Sequence, residues 1–249
     1  MSTLYDRIGG SYHATRKPDP RIAALILDAV GDARSVLNVG AGTGSYEPTD
    51  REVLAVEPSA TMIAQRPPGA APVIQASAEE LPLPDKSYDA ALAINTIHHW
   101  HDVPRALAEL RRVVRQRIVV FMSDRRQDEE FWLVERYFPQ FWAEADQLSE
   151  IRAMLERDLG PLREVSVALP ADCTDGLLSG YWARPEAYLD ATVRANISPF
   201  TRLSEQEVAA GVERLSADLA SGEWDRRYGH LRKLRELHLG HRILVAELS

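Results

Sequence analysis

Seven short β-branched or apolar runs, separated by stretches of helical character, restrict this chain to few architectures. They are Ser35–Gly40, Glu52–Glu57, Pro72–Gln75, Tyr88–Ile94, Arg117–Met122, Arg163–Leu169 and His241–Glu247. Near-continuous apolar runs such as Arg117–Met122 (RIVVFM) suit strands buried on both faces, as in a parallel sheet covered by helices. Between the runs, Pro20–Val30 carries an apolar stripe with Pro in its first turn, and Ser59–Gln65 opens on a good N-cap and stops before Pro67-Pro68. Asp102–Arg115 has Asp as N-cap, Pro in the first turn and Arg in the last. The alternation predicts an α/β fold built on an open, mostly parallel sheet of seven strands flanked by helices.

After Met122 the pattern changes. Asp128–Phe141 is aromatic-rich and broken by Pro139, and Gln147–Leu159, Pro185–Asn196, Ser204–Ser221 and Glu223–Leu237 read as further helices. No Gly/Ser or Pro linker divides the chain. The reading is therefore one domain over 1–249, with a core of 20–122, 163–170 and 241–248 and a helical cap mainly over 125–160 and 171–238.

The strongest local signal is Ser35–Tyr46 (SVLNVGAGTGSY), where a strand runs straight into Gly40-x-Gly42-x-Gly44. Glycines at such a turn let the backbone approach a ligand at the carboxyl edge of a sheet. The next strand ends in Glu57, a carboxylate placed to bind both hydroxyls of a ribose. Together these features predict a nucleoside-bearing cofactor across the first two strand tips. A dinucleotide fingerprint G-x-G-x-x-G would put its third small residue at position 45, which is Ser, and Pro48 interrupts any helix that follows. A pyrophosphate needs a well-formed helix N-terminus there, so a cofactor without phosphates fits better than a nicotinamide dinucleotide. An NAD(P)-dependent oxidoreductase and a non-catalytic nucleoside-binding protein of the same fold are the competing readings.

A formal charge of −8 disfavours a nucleic-acid partner. The single cysteine, Cys173, excludes a disulfide framework and a Cys-rich metal site, so no metal is expected. No apolar run approaches the roughly 20 residues that span a bilayer, and Met1–Arg7 shows no secretory pattern. A cytoplasmic protein without a membrane partner is the expectation; the oligomeric state is not legible.

Four segments in order carry a resemblance: VLNVGAGTG, VLAVEPSATMIAQ, ASAEELPLPDKSYDAALAINTIHHW and the helix DVPRALAELRRVVR. Over roughly residues 5–122 the chain resembles class I S-adenosylmethionine-dependent methyltransferases, of the small-molecule group similar to the ubiquinone/menaquinone-biosynthesis enzymes. The resemblance implies a Rossmann-like sheet, S-adenosyl-L-methionine as cofactor and a small-molecule methyl acceptor. It also implies roles by position. Gly40, Gly42 and Gly44 pass beneath the methionine and ribose, and Glu57 holds the ribose hydroxyls. Pro58, Ser59 and Met62 flank the adenine, with Ser77, Ala78 and Glu79 at its other edge. Asn95 sits near the sulfonium, and Tyr12 and Arg16 cover the site. Asn38 replaces the acid often found before the first glycine, and Ser77 the usual acid near the adenine.

A sulfonium methyl is already a strong electrophile, so holding acceptor, methyl carbon and sulfur in line is the protein's main task. A base is needed only for acceptors such as phenols that must lose a proton. His98, His99 and Asp124 are the candidate bases, against the alternatives of loop-ordering histidines and a helix N-cap. Trp100, Trp132, Tyr181 and Trp182 are candidate walls for a planar acceptor, against the alternative of packed core.

Overall fold

The structure, a computed structural model, describes residues 17–123 and 131–248, apart from the side chains of 142–149. Tyr12, Arg16 and Asp124 lie outside the described residues.

Helix α1 (Pro20–Val30) starts where Asp19 accepts a hydrogen bond from the Arg21 N–H at 3.0 Å, a cap that stabilises by about 1 kcal/mol. It ends at Gly31, whose φ of +65° an L side chain rarely adopts. Ile22, Ile26, Ala29 and Val30 form its buried stripe. The seven strands are β1 (Ser35–Val39), β2 (Glu52–Val56), β3 (Val73–Ile74), β4 (Tyr88–Ile94), β5 (Val114–Ser123), β6 (Leu162–Pro170) and β7 (Glu236–Glu247). Their order is β3-β2-β1-β4-β5-β7-β6. The first five are parallel, and β7 lies antiparallel to both β5 and β6. The sheet is thus the α/β, seven-stranded, mostly parallel one that the sequence predicts.

Both faces are dry. Val36, Leu92, Val119 and Phe121 point into one core with α1, whereas Leu37, Ala91, Ile118 and Val120 point into the other. That second face is covered by α3 (Val103–Val113) and α4 (Ala145–Leu159), through Leu107, Leu110, Ile151 and Leu155. The short α2 (Ala60–Ala64) follows β2. Between β6 and β7 come α5 (Ala191–Ala195), α6 (Glu205–Ala220) and α7 (Glu223–Tyr228). Their residues join the α1 core around Trp132, whose ring meets Trp224 at 5.3 Å, Tyr188 at 5.7 Å and Tyr137 at 5.9 Å.

Several element ends differ from expectation, each for a tertiary reason. The helix expected over Asp102–Arg115 stops at Val113, and β5 begins at once, because Arg115 turns out to bind Asp89 at the base of β4. The helix expected over Glu223–Leu237 stops at Tyr228, and β7 starts at Glu236 rather than His241, because it pairs with β6 as far as Pro170. Pro185–Asn196 is a 3-10 turn (Pro185–Leu189) and α5, separated by Asp190, which caps α5. Within the aromatic stretch, Leu133–Tyr137 forms a π turn and Pro139–Glu144 a 3-10 turn.

Candidate active site

The strand order reverses between β1 and β4, and such a reversal opens a crevice at the carboxyl ends of the strands. The glycine turn enters this crevice from β1. Gly40, Gly42 and Gly44 all have positive φ. The N–H groups of Gly40 and Ala41 both donate to Val56 O, at 2.8 and 3.1 Å, pinning the turn to the end of β2. A Cβ on Gly40 would fall 1.9 Å from Thr96 Oγ1, so the turn passes directly under the segment after β4.

Glu57 follows β2 and is buried at 6% exposure. Its Oε2 accepts from the Gly42 N–H at 2.7 Å, and its Oε1 from the Ser59 N–H at 2.9 Å. Ser59 in turn caps α2 by accepting from the Met62 N–H. The carboxylate is therefore held in one orientation by the glycine turn on one side and by a helix start on the other. Each carboxylate oxygen can accept more than one hydrogen bond.

These groups border a cavity of about 420 Å³. Of the residues singled out in the sequence, Gly40, Gly42, Glu57, Pro58, Met62, Ser77, Ala78, Glu79, Asn95, His99 and Trp100 line it. Ala41, Thr43, Ser45, Ile94, Thr96 and His101 line it as well. Ala41, Thr43, Ile94 and Thr96 lie inside the quoted motifs, and Ser45 and His101 directly after them. Asn95 has φ +50° and donates its N–H to Phe121 O at 2.8 Å. Its Nδ2 and the Trp100 Nε1 are buried donors without a partner among the described residues. Buried donors are seldom left so, and two on one cavity wall call for a ligand with acceptor atoms.

Other expectations are corrected. Trp132 and Trp182 are 1% and 0% exposed and do not line this cavity. Their indole N–H groups donate to Trp182 O at 2.9 Å and Leu169 O at 3.0 Å, so both are satisfied core residues. Tyr181 also lies away from the cavity, edge-on to Tyr188 with the Arg184 guanidinium 4.9 Å above its ring. Gly44 packs against Glu47 and Arg66 instead of the cavity, and Ser59 acts through its cap and its N–H. His98 stands behind His99, ring centroids 3.9 Å apart, and does not line the cavity. Burial, with help from the Arg202 charge, pushes the His99 imidazole down to about 4. It is neutral at pH 7 and a weaker proton acceptor than an ordinary imidazole. Asn38 donates to Glu47 Oε1 at 3.1 Å and does not face the cavity.

Glu79 ties the His99–Asp102 loop in place, accepting from the N–H groups of His101 at 2.7 Å and Asp102 at 3.2 Å. Burial works to raise its carboxyl, but these hydrogen bonds, with those from its own N–H and the Ser77 hydroxyl, outweigh it and hold Glu79 below the usual range. Among the described residues the lining thus holds two carboxylates and neither Lys nor Arg. Such a wall repels a pyrophosphate and attracts a cation. An adenosine bearing a sulfonium fits it on three counts: the bare glycine turn, the oriented carboxylate at the β2 tip and the two orphaned donors. Among the described residues there is no cluster of acids, histidines and cysteine that could hold a metal, and no helix long and apolar enough to cross a membrane.

Comparison with known proteins bears on the same site. Residues 37–122 match the family described as Methyltransferase domain. An uncharacterized methyltransferase of Mycobacterium tuberculosis (strain ATCC 25618 / H37Rv) is 37% identical over 126 residues, 46% of this chain and 49% of that protein. A malonyl-[acyl-carrier protein] O-methyltransferase of Pseudescherichia vulneris is 32% identical over 123 residues, again 46% and 49%. The chain spans about half the length of these curated relatives. A crystal structure of a "putative methyltransferase from antibiotic biosynthesis pathway" of Anabaena variabilis ATCC 29413 superposes with a TM-score of 0.87 at 35% identity, over 94% of this chain and 99% of that one. A likeness of that extent and identity, on a sheet whose crevice suits a phosphate-free adenosine, has one reading: the chain belongs to the class I S-adenosylmethionine-dependent methyltransferases.

Proposed function

We propose that the protein transfers the methyl group of S-adenosylmethionine to a small-molecule acceptor by in-line displacement. The observation that carries this reading is the Glu57 carboxylate, fixed by the Gly42 and Ser59 N–H groups at the edge of the cavity. When bound, the cofactor supplies an electrophilic methyl group on a sulfonium. The chain's own residues bind and orient. Glu57 takes the ribose hydroxyls, and Gly40 and Gly42 give the backbone access. Pro58 and Met62 flank the adenine, and Ser77, Ala78 and Glu79 border its other edge. Asn95 and Trp100 offer their N–H donors to the methionine end. His99 stays neutral and shapes the wall, so approximation and exclusion of water carry the reaction. Within the family we place the chain near the small-molecule enzymes similar to the ubiquinone/menaquinone-biosynthesis group, on the order of its four motifs.

The negative total charge supports a small-molecule acceptor over a nucleic acid. So do the pathway assignment of the Anabaena relative and the O-methylation named for the Pseudescherichia one. The test is calorimetric titration with S-adenosylhomocysteine and with NADH, followed by turnover of methyl-labelled S-adenosylmethionine against phenol, amine and carboxylate acceptors. Binding of the first ligand alone and label transfer are expected. Binding of NADH, or a folded protein that binds neither ligand, contradicts the reading.

A further inference from the structure

Beside the cofactor cavity, but outside its lining, lies a buried ion pair that none of the four motifs explains. Arg66, just after α2, and Glu47, just after the glycine turn, have side chains only 5% and 7% exposed. Arg66 Nη2 donates to both Glu47 oxygens, at 2.7 and 2.8 Å, and to Ala71 O at 3.0 Å. Arg66 Nη1 donates to Gly42 O at 3.2 Å. Glu47 also accepts from Asn38 Nδ2 at the end of β1, at 3.1 Å, and from the Ala71 N–H at 3.2 Å.

Gly42 is thus gripped twice. Its N–H is held by Glu57, which lines the cavity, and its carbonyl by Arg66, which does not. The pair also packs against the last glycine of the turn. A Cβ on Gly44 would fall 2.9 Å from Glu47 Oε2 and 3.2 Å from Arg66 Nη1, so a side chain there would displace the pair. A buried ion pair is weak evidence for stability, since desolvation offsets most of the attraction. Its distinctive capacity is geometric. A planar guanidinium can serve Gly42 O, Glu47 and Ala71 O together, which a single ammonium centre does poorly.

We propose that the Arg66–Glu47 pair is a positioning device that fixes the Gly40–Gly44 turn and so sets the affinity for the adenosyl cofactor. This rests on the cofactor reading above. It also gives Asn38 a role: the residue at the usual acid position orients Glu47 from β1 and makes no direct grip on the cofactor.

Arg66→Lys keeps the charge and loses the fork. The test is calorimetric titration of the wild type and R66K with S-adenosylhomocysteine, together with thermal unfolding and the Gly42 amide resonance. A folded R66K that binds at least tenfold more weakly, with a shifted Gly42 amide, is the expected result. A folded R66K within twofold of the wild type overturns the proposal while leaving the cofactor reading intact. A folded wild type that does not bind overturns both. If R66K does not fold, the neutral double variant R66M/E47Q is measured in its place. A folded double variant with at least tenfold weaker binding supports the device, and wild-type affinity overturns it. If neither variant folds, the pair holds the whole fold and the proposal fails.

Discussion

The depressed imidazole of His99 makes a quantitative claim about acid stability. Burial, and secondarily the charge of Arg202, lowers it from 6.5 to about 4. Unfolding frees the ring to take a proton at its ordinary value. Between pH 6.5 and about 4 the unfolded chain therefore binds more protons at this site than the folded one, and stability falls as the pH falls. Above pH 6.5 both states are neutral there and the site contributes no slope; below about 4 both are charged and the slope ends. Each unit of displacement is worth about 1.36 kcal/mol, so the full loss is about 3 kcal/mol, of which roughly 2 kcal/mol has appeared by pH 4.5. The most strongly lowered carboxyls, Asp19 and Asp89 at about 2, lose their contributions mainly below their ordinary value of 3.8 and hardly confound this window. Urea unfolding at pH 7 and pH 4.5 measures the loss in wild type and in His99→Asn, which does not titrate. The variant is expected to lose about 2 kcal/mol less than the wild type over that interval. Equal losses, or a His99 imidazole titrating above pH 6 by NMR, would refute the reasoning from a partly buried, neutral ring.

Three further outcomes follow from the same geometry. Glu57→Gln removes the charge and leaves one acceptor for the Gly42 and Ser59 N–H groups, so it should weaken S-adenosylhomocysteine binding by about 1–3 kcal/mol in calorimetry and also lower the melting temperature. Gly211→Ala in α6 should destabilise the protein despite a helix-propensity gain of about 1 kcal/mol, because the new Cβ would fall 2.2 Å from the buried Phe138 ring; a raised melting temperature would contradict it. Burial pushes the Cys173 thiol up to about 12, so alkylation by iodoacetamide at pH 8 should be negligible in native protein and rapid in urea.

What the sequence revealed and what it concealed divide along contact range. The glycine turn and Glu57 were legible because strand, turn and acid follow one another within 23 residues, Ser35–Glu57, and each has a local chemical reason. The two-sided burial of the strands was legible in runs such as Arg117–Met122, where apolar residues do not alternate. Trp132 and Trp182 were not legible, because an aromatic near a loop becomes core or pocket wall according to partners far along the chain; here those are Trp182 and Leu169 carbonyls. The early start of β7 depends on pairing with β6, and the end of α3 on an Arg115–Asp89 contact, neither of which has a local signal. Arg66 and Glu47 read as ordinary charged residues until folding buries them against each other. His99 looked poised to titrate near neutrality, and only the burial of the loop it sits on removes that.

A crystal structure of the protein with S-adenosylhomocysteine tests the central claim most directly. The account predicts the ribose hydroxyls on the Glu57 carboxylate, the adenine between Met62 and Ala78, and the sulfur facing Asn95. Adenosine density elsewhere on the protein, or a ribose turned away from Glu57, would contradict it.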